Sequence, residues 1–239
     1  MAKIEWHETI GSTMKRAAEL ASAGAEHGTI VGADEQTAGQ GRLGRRWESK
    51  RGGLYFTMIL RPKVEMRELP VVTLALGLAV ADAVQMFTGI GVDLRWPNDV
   101  MVGDRKLAGI LAQWHEGAVL AGIGLNVSQA DFEPELHAAA TSLALETGSV
   151  QNRDVLLRAI AASVETHVKV LEGSGVEAIL RLFGAASSYV AGKRVRVELA
   201  GGEVTGTTAG LTGEGFLVLR KDDGTEMTVT AGGVRPVLG

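Results

Sequence analysis

Apolar and polar residues alternate from Lys3 to Glu8, which predicts a short edge strand. Ser12 or Thr13 then offers a helix cap, and a helix is expected from about Met14 to Ala23, ended by Gly24. Apolar runs at 29–34 and 54–61 read as strands, the second stopped by Pro62. Residues 67–87 carry Leu74, Leu76, Leu78, Val80, Val84 and Met86 and are apolar nearly all round, which predicts a central, buried helix. A strand at 92–96 leads into Pro97-Asn98-Asp99. Strands at 100–102, 106–114 and 118–125 follow, separated by Gly103-Asp104 and Glu116-Gly117. Few crossover helices lie between these strands, so a mixed or antiparallel sheet is favoured over a doubly wound one.

Residues 128–150 are weakly patterned and read as loop with short helical turns, while 154–171 and 176–186 are amphipathic helices. Near Tyr189 the pattern changes to short β-branched runs split by glycine, at 193–199, 203–210, 216–220, 225–230 and 234–237. These predict a small SH3-like β-barrel. The expectation is an α+β fold: a mixed/antiparallel sheet with helices over residues 1–187, and the small barrel over 188–239. So short a module makes a weak core alone and is expected to pack on the first domain.

Composition narrows the function. The chain has 239 residues, 46% of them hydrophobic, with 24 basic against 28 acidic residues and a net charge of −4. That balance disfavours a general attraction to DNA or an anionic membrane. There is no cysteine, which removes thiol nucleophiles and disulfides and suits a reducing, cytoplasmic setting. Glu5, His7 and Glu8 interrupt the start, so no secretory signal is expected, and the apolar run from Val71 to Ala81 is too short to span a bilayer.

Candidate chemistry is concentrated in four places. Gly39-Gln40-Gly41-Arg42-Leu43-Gly44-Arg45-Arg46-Trp47 holds three glycines and three arginines in nine residues, between two strand-like runs. Glycine permits close wrapping and arginine offers planar donors for phosphate or carboxylate, so this loop is expected to be loose when empty and to close on an anion. Gly11-Ser12-Thr13 opens the first helix, and Gln36 precedes the loop. Arg95-Trp96-Pro97-Asn98-Asp99 is followed, seven residues after the aspartate, by Lys106-Leu107-Ala108-Gly109-Ile110-Leu111. Gly122-Ile123-Gly124-Leu125-Asn126 closes the series. Singly, each reads as something ordinary: a surface turn, a helix cap, an exposed hairpin charge, a bulge. The five histidines lack metal-ligand spacing and read as structural or surface residues, and Trp6 and Trp114 read as core.

Together, in this order and spacing, the four clusters resemble the class II synthetase-like catalytic core of biotin protein ligases, and the terminal module resembles that family's C-terminal domain. The resemblance implies that biotin's carboxylate attacks the α-phosphate of MgATP, giving biotinyl-5′-AMP and pyrophosphate. A lysine of a biotin carboxyl carrier protein, such as the acetyl-CoA carboxylase subunit, then takes the biotinyl group and releases AMP. It implies Lys106 and Arg42 as the catalytic cations. Ser12, Thr13, Gln36, Gly39, Gln40, Gly41, Gly109 and Gly124 are implied as further biotin or adenylate contacts. Arg45, Trp47, Asn98, Asp99 and Asn126 are implied at ATP, with Mg2+ carried mainly by the nucleotide. An apolar wall of Leu107, Gly109, Ile110, Leu111 and Gly122 is expected along the valeryl chain and thiophane ring. Three positions depart from the family pattern: Gln40 for arginine, Arg95 for lysine and Met14 for asparagine. Only eleven residues precede Ser12, so a ligase without a DNA-binding domain is expected, with a homodimer left open. Competing readings are a lipoate or octanoate ligase and a non-catalytic biotin-sensing module. Lys3 to Glu8 is also similar to half of a synthetic biotin-acceptor peptide, although an ordinary strand start outweighs modification at Lys3.

Overall fold

The period-2 runs become strands whose pairing builds the site. The computed structural model describes residues 3–199 and 201–237. β1 (Ile4–Ile10) runs into α1 (Thr13–Ser22), and β2 (Ile30–Gln36) follows. After the Gly/Arg loop come β3 (Leu54–Leu60) and α2 (Leu69–Thr88). β4 (Asp93–Arg95), β5 (Asp99–Val102), β6 (Arg105–His115) and β7 (Ala118–Leu125) form the meander. α3 (Leu143–Thr147), α4 (Arg153–Ser174) and α5 (Val176–Ala186) complete the first layer pair. The last segment holds β8 (Ala191–Leu199), β9 (Gly202–Leu211), β10 (Leu217–Arg220), β11 (Glu226–Val229) and β12 (Gly233–Pro236).

The first seven strands make one sheet in the order β1-β2-β3-β7-β6-β5-β4. Only the β1–β2 pair is parallel; the other pairs are antiparallel, so the sheet is mixed. α2 starts with Pro70 in its first turn and ends at Gly89, held at φ 71. It is long and apolar enough to cross a membrane by composition, but it packs against α4, α5 and β6 in the main core. α1 covers the opposite face of the sheet. There Met14, Ala17 and Ala21 meet Val31, Ile59, Ala118 and Leu120.

β8 to β12 form a separate five-stranded antiparallel sheet in the order β11-β10-β9-β8-β12. Its Val195, Val197, Leu217 and Leu219 join the same core cluster as α2. Buried Trp96 donates from Nε1 to the Gly215 carbonyl at 2.9 Å, and Ser187 Oγ donates to the Leu94 carbonyl. Trp6 departs from its expected place in the core: it lies over Gly32 on the edge of the sheet and is 37% exposed.

Candidate active site

A cleft of about 600 Å³ opens over the face of β3, β7 and β6 beside α1, roofed by the Gly/Arg loop and flanked by the C-terminal sheet. Strand register lays its floor in two rows. Tyr55, Gly124, Gly109 and Asp99 sit side by side across β3, β7, β6 and β5. Two residues along, Thr57, Gly122 and Leu111 form the next row on the same face.

A bulge brings Lys106 to this face. Met101 pairs with Lys106 but Val100 pairs with Ala108, so Leu107 is the extra residue. Without it, Lys106 and Gly109, three apart, would face opposite ways. The bulged Leu107 turns into the main core and is absent from the cleft lining, whereas Ile110 packs in that core and also borders the cleft, so the expected apolar wall stands without Leu107. Lys106 is clamped at its backbone: its N–H donates to the Ala139 carbonyl at 2.8 Å, and its carbonyl accepts from Thr141 N–H at 3.0 Å.

Charge is arranged around one carboxylate. Asp99 accepts from Arg95 Nη2 at 2.7 Å and Nε at 3.1 Å, and pairs with Lys106 Nζ through its other oxygen. Burial pushes the Asp99 carboxyl up, but Lys106 and Arg95 outweigh it and hold the group below the usual carboxylate range. Lys106 Nζ also stands 5.0 Å from the centre of the Trp47 ring, within cation–π reach. The ring lies on the glycine row: a Cβ on Gly109 would come 2.7 Å from it, and one on Gly124 2.5 Å. Trp47 is thus part of the cleft floor beside Lys106, with its Nε1 buried and unpaired among the described residues.

The loop forms a small hairpin over this row. Gly41 N–H donates to the Arg45 carbonyl at 2.7 Å and Trp47 N–H to the Gly39 carbonyl at 3.0 Å, and Gln40 bridges Arg46. Leu43 and Gly44 take left-handed conformations, φ 56 and 72. Arg42 Nη1 donates to Asn98 Oδ1 at 3.3 Å, while Asn98 Nδ2 donates to the Ile110 carbonyl at 2.8 Å; Asn98 therefore ties the loop to the floor. Burial lowers the Arg42 guanidinium from its ordinary value, Asp99 draws it back up, and neighbouring Arg45 lowers it again.

The far end of the cleft is polar. Gln36 Oε1 accepts from Thr13 N–H at 2.8 Å and from Thr13 Oγ1 at 3.0 Å, and Thr13 Oγ1 lies 3.0 Å from Thr57 Oγ1. Gln36 Nε2 donates to Ser49 Oγ at 2.9 Å.

Of the residues singled out in the sequence, Ser12 and Gly39 fall outside the cleft lining. Ser12 Oγ is buried beside Thr13 with no partner among the described residues, and Gly39 lies against Trp47 and Ser49. Asn126 lines the cleft, but its amide is engaged: Nδ2 donates to the Thr141 carbonyl at 2.9 Å, and Oδ1 accepts from Gln129 at 3.4 Å. Arg45 is drawn to the C-terminal sheet, where its Nη2 meets Glu198 Oε2 at 2.5 Å and Arg235 Nε holds the other oxygen at 3.3 Å. Tyr55, Thr57 and Gln129 also line the cleft, as do Arg196 and Arg235 from the C-terminal sheet, and no sequence motif marks any of them. Alternation along 54–60 could have paired Tyr55 with Thr57; nothing local marks Arg235.

A glycine-floored cleft with a half-buried ammonium at one end and a guanidinium roof is suited to bringing two anionic groups together. Comparison with known proteins agrees. Residues 6–129 match the biotin/lipoate A/B protein ligase family, and residues 190–234 match the biotin protein ligase C terminal domain. The chain belongs to the biotin/lipoate A/B protein ligase family. It is 35% identical over 235 residues to the biotin--[acetyl-CoA-carboxylase] ligase of Mycobacterium tuberculosis, covering 94% of this chain and 85% of that one. It is 33% identical over 234 residues to the bifunctional ligase/repressor BirA of Bacillus subtilis, covering 95% of this chain and 72% of BirA. Among solved structures, it superposes on the biotin protein ligase of Aquifex aeolicus in complex with biotin and ATP with a TM-score of 0.89. The identity there is 31%, over 99% of this chain and 100% of the other.

Proposed function

We propose that this chain is an ATP-dependent biotin protein ligase. It joins biotin's carboxylate to the α-phosphorus of ATP with release of pyrophosphate. It then delivers the biotinyl group to a lysine amine of a biotin carboxyl carrier protein with release of AMP. The observation that carries this reading is Lys106, held by Asp99 on the glycine row beneath the Arg42 loop.

Lys106 neutralises the carboxylate and the α-phosphate as they meet, a task suited to a compact charge that can follow both oxygens. Arg42, with the loop, shelters the mixed anhydride from water. Thr13 and Gln36 match the donors and acceptor of a ureido ring, with Ser12 supporting Thr13 from behind. Gln40, Gly41 and Gly39 shape the loop over the acyl chain, which runs along Gly109 and Gly124 beside Trp47. Arg45 meets the polyphosphate after leaving Glu198; Asn98, Asp99 and Asn126 hold the framework around it. Mg2+ fits as part of the nucleotide, because Asp99, the carboxylate on the cleft floor, is already paired with Lys106 and Arg95. No group of three candidate metal ligands occurs among the described residues.

A lipoate ligase is the nearest alternative, but a dithiolane ring offers no hydrogen-bonding groups to the polar end built by Thr13, Gln36 and Thr57, whereas a ureido ring does. The domain division 1–187 and 188–239, a cytoplasmic setting and action without DNA are part of the same reading. The sheet edges β1 and β4 are where a homodimer would pair; sedimentation tests that. Biotin-dependent ATP–pyrophosphate exchange tests the function: Lys106→Ala is expected to lower it at least about 100-fold. Near-normal exchange in that variant would remove Lys106 from the chemistry, and greater thermal stabilisation by lipoate than by biotin would overturn the substrate.

A further inference from the structure

We propose that Met14 and Gly122 act as a pair that sets the depth of the cleft, and so the size of the ring system the enzyme accepts. The inference deepens the biotin reading above and rests on it.

Met14 is the second residue of α1, and only 6% of it is exposed. It both lines the cleft and belongs to the small core beneath α1, with Ile59 and Leu120. Those two residues are paired in the rung beyond Thr57 and Gly122 on the same sheet face. The cleft therefore runs over the Gly109/Gly124 row, reaches the Thr57/Gly122 row, and stops where Met14 begins. At that stop the contact is tight: a Cβ on Gly122 would lie 2.6 Å from the Met14 terminal methyl. Gly122 lies in an extended strand, so its value is the missing side chain rather than any unusual backbone. Thr13, one residue before Met14, is bonded to Gln36 and near Thr57, so the polar contacts and the wall share one helix start. Substrate length is read from Lys106 at one end and Met14 at the other.

Methionine is unbranched and yields at its tip. Met14→Ala should thus open the wall, and Gly122→Ala should push the Met14 tip toward the substrate. The test compares biotin with an analogue bearing one extra methyl on its bicyclic ring. It uses wild type, Met14→Ala, Gly122→Ala, the double variant, and volume-matched Met14→Leu. Readouts are kcat/KM in pyrophosphate exchange, and melting temperature.

Wild type and Met14→Leu are expected to favour biotin at least about 10-fold, and Met14→Ala to shrink that preference by about 10-fold. Gly122→Ala is expected to raise the KM for biotin about 10-fold alone, and far less in the Met14→Ala background. An unchanged preference in Met14→Ala, or an equal Gly122→Ala penalty in both backgrounds, overturns the proposal while leaving the biotin reading intact. Should wild type show no biotin-dependent exchange, the functional reading fails by itself. The melting temperatures then decide the contact: non-additive shifts uphold the Met14–Gly122 pair and additive ones overturn it.

Discussion

Two glycine-rich regions face each other across the cleft, and their glycines do different work. In the loop, Gly44 sits at φ 72 next to Leu43 at φ 56, and a Cβ on Gly44 would touch nothing. That glycine serves the backbone, which turns where other residues are strained. On the floor, Gly109, Gly122 and Gly124 lie in regular strands, and a Cβ on any of them would strike Trp47 or Met14. Those glycines serve their neighbours, by leaving room for an aromatic ring and a thioether against the sheet. The same residue thus encodes a tightly turned roof in one place and a floor shaped by missing side chains in the other.

The largest expected effect separates them most sharply. Gly124→Ala would drive the Trp47 ring off the floor, and with it the hairpin bonded at Trp47 N–H. Exchange activity is expected to fall about 100-fold with little loss of melting temperature, since ångström-scale misplacement costs that much in rate. Wild-type activity in this variant would break the steric half of the comparison.

Arg42→Gly acts on the roof. Losing a charged hydrogen-bonding group is expected to weaken adenylate retention about 10- to 100-fold. Escaping adenylate would then label bystander lysines, read by mass spectrometry on an added unrelated protein. Labelling confined to the carrier would mean that the loop does not retain the intermediate.

The charge cluster beneath the roof gives a pH test. The Asp99 carboxyl lies below its ordinary value in the fold, because Lys106 and Arg95 outweigh its burial. Its contribution to stability is therefore fully present above the unfolded value of about 3.9 and is lost as pH falls through the lower folded value. The melting temperatures of wild type and Asp99→Asn should differ at neutral pH and converge below about pH 4. A gap that stays constant would mean that the cations do not favour the ionised form.

The smallest effect is expected at Gly44→Ala, where the left-handed backbone costs about 1 kcal/mol, a shift of roughly 2–4 °C if the loop melts with the whole. Activity should change less than in Gly124→Ala. The reverse order would mean that roof geometry, not floor space, limits the reaction.

Most elements were legible in the chain. The strand at 118–125, the turn at Glu116-Gly117 and the all-apolar helix now seen at Leu69–Thr88 lie within a few residues of their expected bounds. The four clusters were legible too, since each occupies a strand end, a helix start or a loop between strands. Other features were not. Leu107 looked like cleft wall until pairing with β5 made it the bulged residue. Asn126 lines the cleft, but the bond from its amide to the Thr141 carbonyl, a partner fifteen residues away whose segment has little pattern, could not be read from the chain. Arg45 lines the cleft as expected, but its pairing with Glu198 of the C-terminal sheet has no local signal.

The sequence by itself determined which segments are strands and helices, where they stop, and which residue types could carry charge to an anion. These depend on periodicity and on local backbone preference, which a short window contains. The tertiary structure decided that Lys106 shares a face with Gly109, that Trp47 rests on two glycines, and that Met14 ends the cleft. Those are relations of register and contact between segments tens of residues apart, and one extra residue in a strand is enough to turn a side chain from core to site.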